Sequence, residues 1–246
     1  MEKINEHRRR HHRNPRHIIG TLLFISLVLS VVYAAARFVL APVSAPVDQA
    51  YAHVKSDYAL MFLQCLLGIG VLALPSLFSK KWNLDIPNFI YIMYYVFLYC
   101  AIFLGEVFSF YYLIPYWDTI LHFFSGAMLG ALGFILVEWL NEDEHIRISL
   151  SPSFVALFAF CFALSCGAIW EIYEFLVDDL FRTNMQKFTL ADGTLLTGHA
   201  ALVDTMKDII VDALAAFLMS LLGYMRLKAH PHQKQEALEN ELPENA

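Results

Sequence analysis

Long apolar stretches recur along the chain, separated by short polar or charged breaks. A helix crosses the hydrocarbon of a bilayer in about 20 residues. Uncharged runs of that length occupy 18–36, 58–79, 86–105 and 148–170, and 119–137 is interrupted only by His122. The last apolar run differs. Positions 213–225 supply thirteen uncharged residues, about 20 Å of helix against a core of about 30 Å. The helix must therefore begin earlier, within 204–212, which carries Asp208 and Asp212 to or inside the membrane boundary; a half-span is the alternative. The pattern predicts an all-α, polytopic membrane bundle with spans near 18–40, 58–78, 86–105, 118–140, 152–177 and 204–226.

The connecting segments are sparse. Residues 1–17 form a basic N-terminal segment, 41–57 a loop in which Pro42 and Pro46 discourage helix, and 227–246 a polar tail expected to be disordered. Residues 178–203 form the one long loop, where Ala191-Asp192-Gly193-Thr194 signals a turn between short alternating stretches, hence a small hairpin. Lys and Arg set the orientation. With the N-terminus inside, twelve fall on the cytoplasmic side and four (Arg37, Lys55, Arg182, Lys187) on the other, while Lys207 lies in the sixth span. Both termini are expected in the cytoplasm and the protein in the cell membrane. Arginines, an apolar run and Ala34-Ala35-Ala36 also resemble a signal peptide. The apolar stretch continues through Phe38-Val39-Leu40, long for such a segment, which favours a retained span.

Composition agrees. Of 246 residues, 58% are hydrophobic and 16% charged, against roughly 45–50% and 25% in soluble domains, and mean hydropathy is +0.52. A formal charge of −6 argues against a nucleic-acid partner; the bilayer is the expected one. Cys65, Cys100, Cys161 and Cys166 fall within spans without a CxxC pair and read as space-filling thiols. The basic run from His7 to His17 serves topology. Trp82, Trp117, Trp139 and Trp170 fall near span ends, as an aromatic belt requires. No GxSxG, HExxH, Walker loop or GxGxxG occurs.

Ionisable residues inside a membrane need partners, water or a function. Here alternation of the spans brings them to one face: Glu106 closes the third span, Asp118 and His122 open the fourth, Glu171, Glu174 and Asp178 close the fifth, and Asp204, Asp208 and Asp212 open the sixth. Asp118 and His122 are i, i+4, about 40° apart on one helix face, and Asp204, Asp208 and Asp212 repeat that spacing. The Asp118–His122 line continues through Gly126 and Gly130, a small-residue seam at which helices approach closely. So many acids, opposed at most by Lys207 and a protonated His122, cannot all stay ionised unless a cation is bound. An oxygen-rich site with one imidazole suits Mg²⁺, Mn²⁺, Ca²⁺ or Zn²⁺. His122, Glu171, Asp208, Asp212 and Asp204 are the candidate ligands. Glu174 and Asp118 are the candidate general bases. Asp178 and Asp204 also read as loop and cap residues, and His199 and Asp192 as surface residues.

The blocks Trp117-Asp118-Thr119-Ile120-Leu121-His122-Phe123-Phe124-Ser125-Gly126, Trp170-Glu171-Ile172-Tyr173-Glu174 and Asp204-Thr205-Met206-Lys207-Asp208 with Asp212 resemble the YjdF-like family of bacterial inner-membrane proteins over roughly 58–226. That resemblance implies fold and location but no activity. A looser similarity links the Asp-xxx-His and Asp-xxx-Asp blocks to VanZ-like proteins, which are tied to envelope glycopeptide resistance; Glu174 and the longer loop depart from that pattern. Three functions follow: a metal-dependent envelope protein acting on a lipid or lipid-linked substrate, a cation- or proton-coupled transporter, and a non-catalytic scaffold. Absence of internal repeats and the one-sided placement of the acids weigh against transport.

Overall fold

The computed structural model describes residues 15–43, 53–83, 86–142, 150–190 and 193–229. Most of the basic N-terminal segment, the polar tail, Pro46, and Ala191 and Asp192 of the expected turn lie outside the described residues. The described chain is helical: α1 (Pro15–Leu40), α2 (Lys55–Val71), α3 (Leu74–Trp82), α4 (Asn88–Leu98), a π-helical segment (Tyr99–Val107), a single turn α5 (Phe110–Leu113), α6 (Trp117–Glu142), α7 (Pro152–Phe181) and α8 (His199–Ala229). Six stretches are long and apolar enough to cross a membrane. The sixth helix does begin early, at His199 directly after Gly198 with φ +58°, so Asp208 and Asp212 lie inside a full-length helix rather than before a half-span.

Two spans are less regular than their hydropathy implies. The second breaks at Leu72–Ala73 because Pro75 has no N–H to donate to Val71 O. The hydroxyl of Tyr94 donates to that carbonyl instead, at 2.8 Å. The third span ends as nine residues of π-helix, wider than the α-helix expected over 86–105. Hydropathy reports apolar length and is blind to such a change of winding.

Packing divides the bundle into two halves of different chemistry. In one, α1 lies against α2, and α4 with the π segment joins them; Leu23, Leu27, Tyr58, Met61, Ile90 and Ile102 form its apolar core. In the other, α6, α7 and α8 pack on one another through small residues. A Cβ on Gly126 would lie 3.0 Å from Ala215 Cβ and Asp212 O, and one on Gly133 would lie 2.7 Å from Ala159 Cα. Close backbone approach leaves little room for long side chains. What the α6–α8 core encloses at one end is polar.

Candidate functional site

His122 is the centre of that end. It sits little more than a turn into α6, buried, with Asp118 one turn before it. Its Nδ1 lies 3.2 Å from Asp212 Oδ2 on α8. Its Nε2 faces Asp118 Oδ1 at 3.8 Å and Glu171 Oε1 of α7 at 3.6 Å. Asp208 sits one turn before Asp212, and single ligand atoms from Asp118, His122 and Asp208 come within 4.8 Å of one another. Thus three helices each contribute to one cluster, and the i, i+4 spacings on α6 and α8 supply two members apiece.

Burial makes the cluster costly as it stands. Glu171, Asp208 and Asp212 are 4%, 2% and 1% exposed. Glu171 Oε1, Asp208 Oδ1 and Asp212 Oδ1 have no hydrogen-bond partner among the described residues. Each such buried, unsatisfied acceptor costs about 1–3 kcal/mol, and more when charged. Three carboxylate oxygens of this kind around one imidazole form a donor set that could hold a cation. The room for them is purchased by Gly167: a Cβ there would collide with the Asp212 carboxylate. Gly167 stands one turn before Glu171 on the buried stripe Ala159, Ala163, Gly167, Glu171 of α7.

The remaining acids have different surroundings. Asp178, in the last turn of α7, holds the loop: Thr183 Oγ1 and the Met185 amide donate to its Oδ1, both at 2.7 Å, and the Gln186 amide donates to its Oδ2 at 2.9 Å. Asp204 is half-buried on the first turns of α8, outside the close trio, and His199 is exposed. Glu106, at the end of the π segment, is paired with Lys187 at 3.3 Å. The loop carries an antiparallel bridge Thr189–Leu195 and Gly193 at φ +82°, in keeping with the small hairpin expected there.

Lys187 was not a site candidate on sequence grounds, where it counted only as a loop charge. The ammonium lies over the rings of Tyr111 and Tyr112, 4.7 and 5.2 Å from their centroids. Burial weakens its hold on the proton, but Glu106 foremost, then Tyr112, Asp118 and Glu174, more than offset this and raise it above an ordinary lysine, so it stays charged. Burial, with Asp118, Glu106 and Glu174, likewise pushes the Tyr111 phenol well up and keeps its proton in place. Lys187, Tyr111, Glu106, Glu174 and Asp118 line one cavity of about 100 Å³, with Met185 and Trp170 among its apolar walls. Asp118 therefore belongs both to the His122 cluster and to this cavity. A wider cleft of about 610 Å³ opens elsewhere on the loop, beside Asp178, Arg182 and Asn184; it holds none of the His122 cluster.

Residues 49–229 match the family described as "Predicted membrane protein (DUF2238)". An uncharacterized protein of Thermotoga maritima is 27% identical over 153 residues, 62% of this chain and 70% of that protein. No solved structure matches. The family match agrees with the resemblance to YjdF-like proteins; these comparisons do not show the looser similarity to VanZ-like proteins.

Proposed function

The chain belongs to the DUF2238 family of predicted membrane proteins, and we propose that it is a metal-dependent enzyme of the bacterial cell envelope acting on a lipid or lipid-linked substrate. In this reading both termini are cytoplasmic and the His122 cluster lies near the outer leaflet. One observation carries it: Asp118, His122 and Asp208, from two helices, bring ligand atoms within 4.8 Å of one another in a buried setting.

Asp212 supports the assignment from behind. A metal-bound histidine ordinarily donates its second N–H to a carboxylate, which fixes the tautomer. In the tautomer with its proton on Nδ1, that N–H points to Asp212 Oδ2 at 3.2 Å and Nε2 keeps its lone pair for a cation. Asp118, His122 and Asp208 are then the ligands, Asp212 the orienting residue, and Glu171 a neighbour able to complete the shell. Three protein ligands leave positions open, as catalytic sites do. An imidazole among carboxylates favours Mn²⁺ or Zn²⁺ over Mg²⁺ or Ca²⁺. Such a cation would polarise a phosphoryl or carbonyl oxygen, and Glu174, in the adjoining cavity, would carry the proton.

The test is metal content by mass spectrometry of detergent-purified protein, with thermal unfolding in the presence and absence of chelator. Near-stoichiometric metal is expected in the wild type, with a lower Tm on chelation. Asp208→Asn and His122→Ala should both lose the metal. A wild type without metal after supplementation, and unmoved by chelator, would end this reading and return attention to proton coupling or scaffolding.

A further inference from the structure

The cavity beside the cluster has a chemistry of its own. Lys187 and Asp118 both line a small space of about 100 Å³, room for a few waters or one tetrahedral oxyanion but not a sugar ring. The Lys187 side chain is 15% exposed, and a largely covered ammonium is rare unless it is paired; among the described residues its ion-pair partner is one carboxylate oxygen, Glu106 Oε1. An ammonium has three protons to donate. Tyr111 lines the same space and brings a hydroxyl.

We propose that this cavity binds a phosphate group, one oxygen toward the cation at Asp118, His122 and Asp208 and another toward Lys187. The inference rests on the cation reading above and names the substrate class of that site: a phosphate ester, lipid-borne or free. Two cationic centres on opposite sides of a transferable phosphoryl group recur wherever charge on its oxygens must be stabilised. The acids lining the cavity are compatible with an anion for specific reasons. Glu106 engages the Lys187 ammonium through one oxygen and leaves its other protons for a ligand, and Asp118 would be taken up as a ligand of the cation. The loop that delivers Lys187 is itself fixed by Asp178, through the Met185 and Gln186 amides just before it. The ammonium is thus held in place before any ligand arrives.

The test uses full-length protein in detergent loaded with Mn²⁺. Manganese binding is followed by the paramagnetic resonance of free Mn²⁺. Phosphate binding is followed by equilibrium dialysis, one arm with radiolabelled orthophosphate and one with a long-chain alkyl phosphate in mixed micelles. The wild type should bind phosphate only when Mn²⁺ is present. Lys187→Met should leave manganese affinity within about twofold and weaken phosphate at least about tenfold, the loss expected for a charge-assisted hydrogen bond; Lys187→Arg should recover part of it. Tighter binding of the long-chain phosphate assigns a lipid headgroup, and binding of orthophosphate alone assigns a free phosphate. If Lys187→Met does not fold, Tyr111→Phe decides, with a several-fold loss expected for phosphate and none for manganese. The proposal is overturned if manganese-loaded wild type takes up neither phosphate, or if the folded variants bind it as well as wild type. A wild type that binds no Mn²⁺ fails earlier, at the cation itself, and removes both readings.

Discussion

The imidazole Nδ1 of His122 and the carboxylate Oδ2 of Asp212 meet at 3.2 Å across ninety positions of sequence. That contact ties α6 to α8 at the polar end of the bundle and decides which ring nitrogen is available to anything else. Asp212→Asn retains an oxygen for Nδ1–H but replaces the carboxylate that orients the ring with an amide. Metal affinity should fall about 10–100-fold, as for other partners of metal-bound histidines, while the protein still folds. A Mn²⁺ titration reads this directly. Undiminished affinity would show that Asp212 does not orient the ligand.

Gly167 offers a steric test of the same arrangement. Its missing Cβ is the space in which the Asp212 carboxylate sits. Gly167→Ala should lower stability by about 1–3 kcal/mol through overpacking or push Asp212 off His122 and weaken metal binding. Gly70 is the control, since a Cβ there meets nothing within 4 Å. Gly70→Ala, in the last turn of α2, should be neutral or stabilising by up to about 1 kcal/mol. Equal effects of the two on Tm would show that the contact at Gly167 is unimportant.

Much of this arrangement was legible from spacing. Membrane length alone required the sixth helix to start before Asp208, and the i, i+4 rule placed Asp118 with His122 and Asp208 with Asp212. Alternation of spans then put those faces at one end. What spacing does not carry is contact between helices. Gly167 is an ordinary small residue until α8 is seen against it. Its position one turn before Glu171, on the same stripe, was the available signal. Lys187 was hidden differently: a loop charge looks solvated in sequence, and only the tethering of the loop by Asp178 brings it over Tyr111. The break at Pro75 was signalled by the proline itself, whereas the winding of Tyr99–Val107 had no local mark.

Asp178 should prove structural. It is 6% exposed and accepts three hydrogen bonds, all from the loop between α7 and α8. Asp178→Ala would leave one buried and one partly buried amide without acceptors, a loss of about 3 kcal/mol, concentrated in the loop rather than the spans. The expected readout is rapid tryptic cleavage at Arg182 and Lys187 in folded protein, at a rate where wild type resists. Lys187 would leave the cavity with the loop, so phosphate binding should fall while manganese binding persists. Wild-type protease resistance in Asp178→Ala would show that the loop is held by other contacts, such as Asn184 with Tyr112.

His53 supplies a pH dependence outside the spans. Its Nε2 meets Ser109 Oγ at 2.9 Å, and Asp57 lies 3.9 Å from its Nδ1. Burial lowers its affinity for a proton, and the opposing pull of Asp57 and Glu106 does not make up the difference. The unfolded chain, with an ordinary histidine near 6.5, then binds the proton more readily than the folded one. This contribution to stability is complete above about pH 6.5 and declines as pH falls toward the lower folded value. Lys187 is shifted upward, so its contribution is complete everywhere below the ordinary lysine range and does not vary between pH 5 and 8. Tm should therefore fall more steeply between pH 8 and pH 5 in the wild type than in His53→Gln, which keeps a polar side chain for Ser109 but cannot titrate. Parallel curves for the two proteins would show that His53 takes up its proton without penalty and that the acid sensitivity arises at another group.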